Sequence, residues 1–233
     1  MMRKYSVSFV FPMYNEKDNI EESVRRALKL GREVADDFEV IIVDDASTDG
    51  SGEIADRLAS EHREVKVIHH DVNRKLGATI RTGFANATKD LIFYTDADLP
   101  IDFEETRIAF DIIDEADVVT GYRIGERESF RRKILSAGYN FYIRLFFGLK
   151  VRDVNFAFKL FKRKILDEIT LCSEGSFIDA EFLMEATRKG YRIREIGLHY
   201  YPRVAGESTL SSASVIMKTL KESLKYWWRR RFL

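Results

Sequence analysis

The sequence predicts an α/β protein with a mostly parallel central sheet flanked by helices. Short runs rich in β-branched and aromatic residues alternate with segments of helical periodicity, the pattern of βαβ crossovers. One of these runs, Glu39-Val40-Ile41-Ile42-Val43, is apolar almost throughout, as in a strand buried on both faces.

The elements follow in order. Ser6–Phe11 reads as a strand closed by Pro12. Asn19–Leu30 reads as a helix with Ile20, Val24, Ala27 and Leu28 on one stripe. After the strand at 39–43 come a helix over about Gly52–His62, a strand at Val65–His69, a helix over about Ala78–Thr88 and a strand at Asp90–Thr95. Asp102–Glu115 reads as a further helix and Asp117–Thr120 as a short strand. Beyond Gly121 the spacing changes. Arg131–Leu149 is helical, with a wide apolar face and a narrow polar stripe of Lys133, Ser136, Asn140 and Arg144. Phe156–Lys162 reads as a strand, Ile178–Lys189 as a helix and Tyr191–Tyr201 as one or two strands. A final helix spans about Ser211–Arg230. Without repeats or a linker, a single domain over 1–233 is the simplest reading.

Composition narrows the function classes. The 38 basic residues equal the 38 acidic ones, so no overall field favours nucleic acid, and none is expected as a partner. The single Cys172 cannot form an internal disulfide, and no Cys/His spacing suits zinc, which fits a reducing cytosol. No run approaches the roughly 18 apolar residues of a membrane span. The expectation is a cytoplasmic protein, free or lying on a membrane surface.

Acidic clusters fall where such sheets bind ligands, at the carboxyl ends of strands. An isolated Asp-x-Asp is more often a solvated acidic turn. Asp96-Ala97-Asp98, however, follows the apolar run Leu91–Tyr94 inside the βαβ series. Alternate side chains of an extended segment share a face, so both carboxylates reach one ligand. Two hard oxygen donors suit Mg²⁺ or Mn²⁺ against a diphosphate. Asp44-Asp45 ends the second buried run, where a carboxylate either caps the next helix or accepts from a nucleobase or ribose. Lys75 and Gly77 stand at a helix start, where free amides approach phosphate. Pro12, Tyr14 and Glu16 close the first strand, and Tyr14 can stack on a base.

Taken together, Pro-x-Tyr-Asn-Glu (12–16), Val-Asp-Asp-x-Ser-x-Asp-Gly (43–50), Lys-Leu-Gly (75–77) and Asp-Ala-Asp-Leu (96–99) resemble the family 2 glycosyltransferases of the GT-A fold. Within that family they look like the dolichyl- and polyprenyl-phosphate mannose or glucose synthases. The resemblance implies that Pro12, Tyr14, Glu16, Asp44 and Asp45 hold the nucleoside, with Lys75 and Gly77 at the donor. It also implies that Asp96 and Asp98 bind metal and diphosphate. Gly121-Tyr122-Arg123 resembles a motif whose arginine meets phosphate. Asp153–Phe161 resembles Asp-x-x-x-Gly-Phe-Lys/Arg, and Arg203–Ser208 resembles a loop that closes on substrate. Asp179 and Glu181 match acidic residues of a preceding helix. Three positions depart from the pattern: Pro100 near the metal pair, Ala157 for glycine and Thr209 for lysine.

The resemblance thus divides the chain into a nucleotide-sugar half (1–121) and an acceptor half (122–233). Arg123, Arg131, Arg132 and Ser136, with Arg203 and Ser208 from the closing loop, are candidates for holding a polyprenyl or dolichyl phosphate. The apolar face of 131–149 and the Trp-Trp-Arg-Arg-Arg end of the last helix fit a membrane surface on its cytoplasmic side. A separate membrane subunit is compatible with this reading. A phosphate acceptor needs no strong base, whereas a glycan hydroxyl would need Asp179 or Glu181. A non-catalytic nucleotide-sugar binder or membrane scaffold is the alternative of another class. His69, His70 and His199 receive no role.

Overall fold

The computed structural model describes residues 5–98, 101–125, 130–201 and 213–232, with only the backbone at 130–133, 213–216 and 232. Its strands are β1 (Tyr5–Met13), β2 (Ala35–Asp44), β3 (Val65–His69), β4 (Leu91–Thr95), β5 (Val118–Ile124), β6 (Phe158–Lys162) and β7 (Ile193–His199). Its helices are α1 (Ile20–Val34), α2 (Ser51–Glu61), α3 (Leu76–Asn86), α4 (Arg107–Ile112), α5 (Phe130–Phe147), α6 (Ile178–Arg188) and α7 (Ala213–Phe232), with a 3₁₀ turn at Arg163–Asp167.

All seven strands join one sheet in the order β3-β2-β1-β4-β6-β5-β7. The pairs β1/β2, β1/β4, β2/β3 and β5/β7 are parallel, while β6 runs antiparallel to both β4 and β5. Period-2 side chains give the sheet two cores. Phe9, Phe11, Val40, Ile42 and Phe93 face α1, α2 and α4, whereas Val10, Ile41, Val43, Ile92 and Tyr94 face α3, α6 and α7. Pro12 lies inside β1, opposite Val43, rather than closing it. It is tolerated because the β1/β4 ladder has already ended at Val10–Tyr94.

One element departs from the periodicity. Within 102–115 only Arg107–Ile112 is helical. Ile101 is drawn into a bridge with Tyr200, Asp102 Oδ1 accepts the Glu104 amide, and buried Phe103 packs on Phe11 and Phe93. A local side-chain bond and a tertiary anchor thus hold the first part as turns.

Helices α5 and α7 pack together through Tyr142 Oη and Ser223 Oγ, 2.8 Å apart, and through Phe147 and Tyr226. Away from that seam they leave Leu135, Phe141, Leu145 and Phe146 of α5, and Leu224 and Trp228 of α7, exposed. Among the described residues no helix is long and apolar enough to cross a membrane.

Candidate active site

The loops after β1 and β2 interlock before any ligand is considered. Asn15, in left-handed conformation at φ 56°, donates its amide to Ser47 Oγ and accepts from the Thr48 amide. Glu16 donates its amide to Ser51 Oγ, and its carboxylate accepts from Asn19 Nδ2 at 2.8 Å. Tyr14 is held at this edge and is 48% exposed, available to stack.

Asp44 and Asp45 are both buried, and β3 explains why. The parallel register pairs Asp44 with His69, so Asp45 and His70 follow as neighbours. Asp44 accepts the Ser47 amide (3.0 Å) and lies 2.9 Å from His69 Nδ1, whose other nitrogen meets Asp56 at 3.0 Å. The hydrogen bonds to Asp56 and Asp44 raise the His69 pKa above its ordinary value. Asp45 lies 2.7 Å from His70 Nδ1 and accepts the amides of Arg74 (2.8 Å) and Lys75 (2.9 Å). That grip holds Lys75 at φ 72° and sets the loop entering α3. His199 meets Glu105 at 2.7 Å, away from this cluster in sequence.

Gly77 is required for a different reason than anion approach. Its own amide is donated to Glu174 O at 2.7 Å, and a Cβ there would stand 2.2 Å from Ser173 O. The glycine lets the start of α3 touch the 173–174 segment. Lys75 Nζ reaches Glu174 at 2.9 Å, an exposed pair of little energetic weight.

Asp96 and Asp98, the candidate metal pair, follow β4. Thr95 Oγ1 donates to Ala157 O (2.6 Å) and Ser23 Oγ to Ala97 O (2.7 Å), pinning the turn on both sides. Asp98 is buried and Asp96 is partly exposed. Tyr94 Oη lies 3.4 Å from Asp96 Oδ1. Its pKa is raised far above the usual phenol range by burial and then by the negative charges of Asp179, Asp96 and Asp98. Among the described residues no cluster of three or more acidic, His or Cys side chains forms a metal cage. Two carboxylates without a cage are the donor set a Mg²⁺ or Mn²⁺ ion uses when substrate phosphates and water complete its shell, so the residues fit.

Antiparallel β6 welds the two parts of the sheet, β3-β2-β1-β4 and β5-β7, together. Lys159, 1% exposed, forms an ion pair with Asp179, donates to Phe156 O at 3.1 Å and lies 5.3 Å from the Tyr94 ring centroid. Burial raises the Asp179 pKa and Lys159 offsets part of the rise. Glu181 lies elsewhere, because residues two apart on a helix do not share a face. It accepts the amides of Cys172 and Ser173 and meets Arg229 of α7 at 2.6 Å, which anchors the last helix.

Arg123 ends β5. Its guanidinium meets Asp153 at 2.9 Å and stacks 4.6 Å from the Tyr200 ring centroid. A Cβ on Gly121 would lie 2.2 Å from the Phe156 ring, so that glycine makes room for the same motif. Arg123 and Ser136 line one cavity of about 430 Å³. Lys159 pairs with both Tyr94 and Thr120, so the end of β4 and β5 at Thr120 lie two strands, or about 10 Å, apart. The side chains of Arg131 and Arg132, and all of Arg203 and Ser208, lie outside the described residues.

Several of these groups escaped the motif reading: His70 as the clamp on Asp45, Lys159 as the partner of Asp179, and Tyr200 beneath Arg123. The pairing of β2 with β3 would have revealed the first. The others depend on a strand whose direction no local pattern encodes.

Acidic groups clustered beyond the carboxyl ends of parallel strands form a candidate ligand site at the position where α/β sheets bind their ligands. Comparison with known proteins makes this specific. The sequence model for Glycosyl transferase family 2 matches residues 8–170, and the chain belongs to that family. Glycosyltransferase AglD of Haloferax volcanii is 31% identical across 96% of this chain. An undecaprenyl-phosphate 4-deoxy-4-formamido-L-arabinose transferase of Salmonella choleraesuis is 32% identical across 90% of it. The chain spans 37% and 64% of those two proteins' own lengths. Mannosyl-3-phosphoglycerate synthase from Rubrobacter xylanophilus superimposes with a TM-score of 0.72 at 18% identity, covering 97% of this chain and 75% of that one. Glucosyl-3-phosphoglycerate synthase from Mycobacterium tuberculosis, crystallised with Mn²⁺, UDP-glucose and phosphoglyceric acid, gives 0.67 at 18% identity, covering 93% and 79%. The fold is GT-A.

Proposed function

We propose that this glycosyltransferase moves a hexose, with inversion, from GDP-mannose or UDP-glucose to a polyprenyl or dolichyl phosphate at a membrane surface. The observation that carries the reading is the shared sheet edge. The strand end that leads into Asp96 lies two strands from β5, which carries Arg123, and the Arg123 cavity opens beside a helix with exposed Phe141. The undecaprenyl-phosphate named for the Salmonella relative supports the same acceptor class.

Tyr14 and the interlocked loops after β1 and β2 receive the nucleoside. Asp96 and Asp98 are the residues that would hold a divalent cation, which when bound supplies Lewis-acid stabilisation to the departing diphosphate. Arg123 steers the acceptor's anionic oxygen towards the anomeric carbon, opposite the diphosphate. A new C–O bond forms there as the bond to the diphosphate breaks, and the electron pair leaves with the nucleoside diphosphate. One in-line displacement inverts the centre, and a phosphate anion needs no general base. That suits Asp179, whose carboxylate is engaged by Lys159. The exposed apolar residues of α5 and α7 rest on the membrane, on its cytoplasmic face in this reading.

A donor screen with a polyprenyl phosphate and Mg²⁺ or Mn²⁺, reading radiolabelled lipid, tests the reading. Asp98→Ala should lower transfer by about 10²-fold or more. Unchanged turnover would remove the metal assignment, and label appearing only on a glycan hydroxyl would remove the acceptor.

A further inference from the structure

The cavity beside Arg123 contains more positive charge than the motifs account for. One wall carries Arg123 and Asp153 with Arg152. The opposite wall is a single stripe of α5, Ser136, Asn140 and Arg144, spaced i, i+4 and i+8. Among the described residues three guanidinium groups therefore line the cavity with one carboxylate, and that carboxylate is paired with Arg123 at 2.9 Å.

Among the described residues, Arg144 and Arg152 form no ion pair. Arg144 reaches only Val151 O, at 3.5 Å, and Arg152 stacks 4.4 Å from the Tyr122 ring centroid. Glu195, the nearby acid, accepts the Arg152 backbone amide at 2.6 Å. Like charges gathered in a concave site raise the local potential and favour an anion there. Arginine's planar fork suits phosphate oxygens in particular. The walls are already stiff, since Asn140 Oδ1 accepts the Val154 amide at 3.0 Å. Phe141, 65% exposed, completes the rim and continues into the apolar face of α5. The cavity of about 430 Å³ is within the range of small-molecule sites.

We propose that Arg144 and Arg152 form the outer clamp of this cavity, binding the phosphate monoester of an amphiphile whose first carbons lie along Phe141. This deepens the acceptor assignment and rests on it for the identity of the natural ligand. The cavity's preference for a phosphate monoester is testable without turnover.

The probes are decyl phosphate below its micellar concentration and inorganic phosphate, titrated calorimetrically into the whole chain. Decyl phosphate should bind the native protein more tightly than inorganic phosphate. Arg144→Gln/Arg152→Gln should weaken both by tenfold or more, because each lost charge-assisted bond accounts for roughly that factor. Phe141→Gln should weaken decyl phosphate alone. All three side chains are exposed, and an unchanged melting curve confirms folding. Absence of binding to the native chain, or equal binding by the double variant, overturns the clamp. Equal affinity for the two probes overturns the amphiphile and leaves a soluble phosphate as the ligand class. An Arg-dependent site in a protein that glycosylates only hydroxyls would remove the lipid-phosphate acceptor while keeping the clamp.

Discussion

Replacing Lys159 with Met tests the weld between the two halves of the sheet. Met keeps most of the lysine stem, so little volume is lost, but the ammonium that faces Asp179 disappears. Lys159 is 1% exposed and Asp179 is buried, so no water replaces the missing partner. Removing one member of a buried pair typically costs about 3–5 kcal/mol. The loss should depend on pH. Burial already raises the Asp179 pKa, and Lys159 opposes that rise, so deleting the lysine raises it further. A carboxyl group raised in the folded state binds more protons there than in the unfolded chain. Its stabilisation is therefore present at low pH and lost as pH rises through the folded value, by at most about 1.4 kcal/mol per pH unit. Urea unfolding of Lys159→Met at several pH values between 5 and 9 should show a midpoint that falls as pH rises. Lys159→Met/Asp179→Asn should recover more than half of the loss and flatten the profile. A cost below about 1 kcal/mol, or one independent of pH and of Asp179, would refute the buried pair as the weld.

Other predictions concern neighbouring parts of the fold. Glu39, nearly buried, has its pKa lowered from 4.5 to about 2: burial alone would raise it, but bonds from Lys66, Ser8 and Thr88 outweigh that. A depressed carboxylate stabilises above its unfolded pKa and loses this as pH falls, so about 3 kcal/mol should disappear between roughly pH 4.5 and 2. Glu39→Gln should remove that part of the acid-unfolding curve. Gly77→Ala sets a methyl 2.2 Å from Ser173 O and should cost about 1–3 kcal/mol, read as a lower melting temperature. Asp45→Ala removes the acceptor shared by His70 and two amides and should raise the donor KM more than it lowers kcat.

The candidate acidic positions were legible because strand ends are local. An apolar run followed by Asp96-Ala97-Asp98 or Asp44-Asp45 announces a carboxylate at a sheet edge whatever lies beside it. Gly77 shows the limit of such reading. A glycine at a helix start looks the same whether an anion or a neighbouring backbone carbonyl approaches it, and here the carbonyl of Ser173 does. Asp179 and Glu181 looked equivalent as two acids in one helical turn. The helix sends one to Lys159 and the other to Arg229.

The sequence by itself determined the alternation of strands and helices, the family and the acidic strand ends, since each depends on side chains within a few residues. Tertiary structure decided the partners. The register of β2 against β3 matched each aspartate to a histidine 25 residues away, and the reversed direction of β6 carried Lys159 to Asp179. The packing of α5 opposite the end of β5 gathered Arg144 and Arg152 around Arg123. Such pairings come from burying both faces of one sheet at once, a condition that involves the whole chain and that no local window contains.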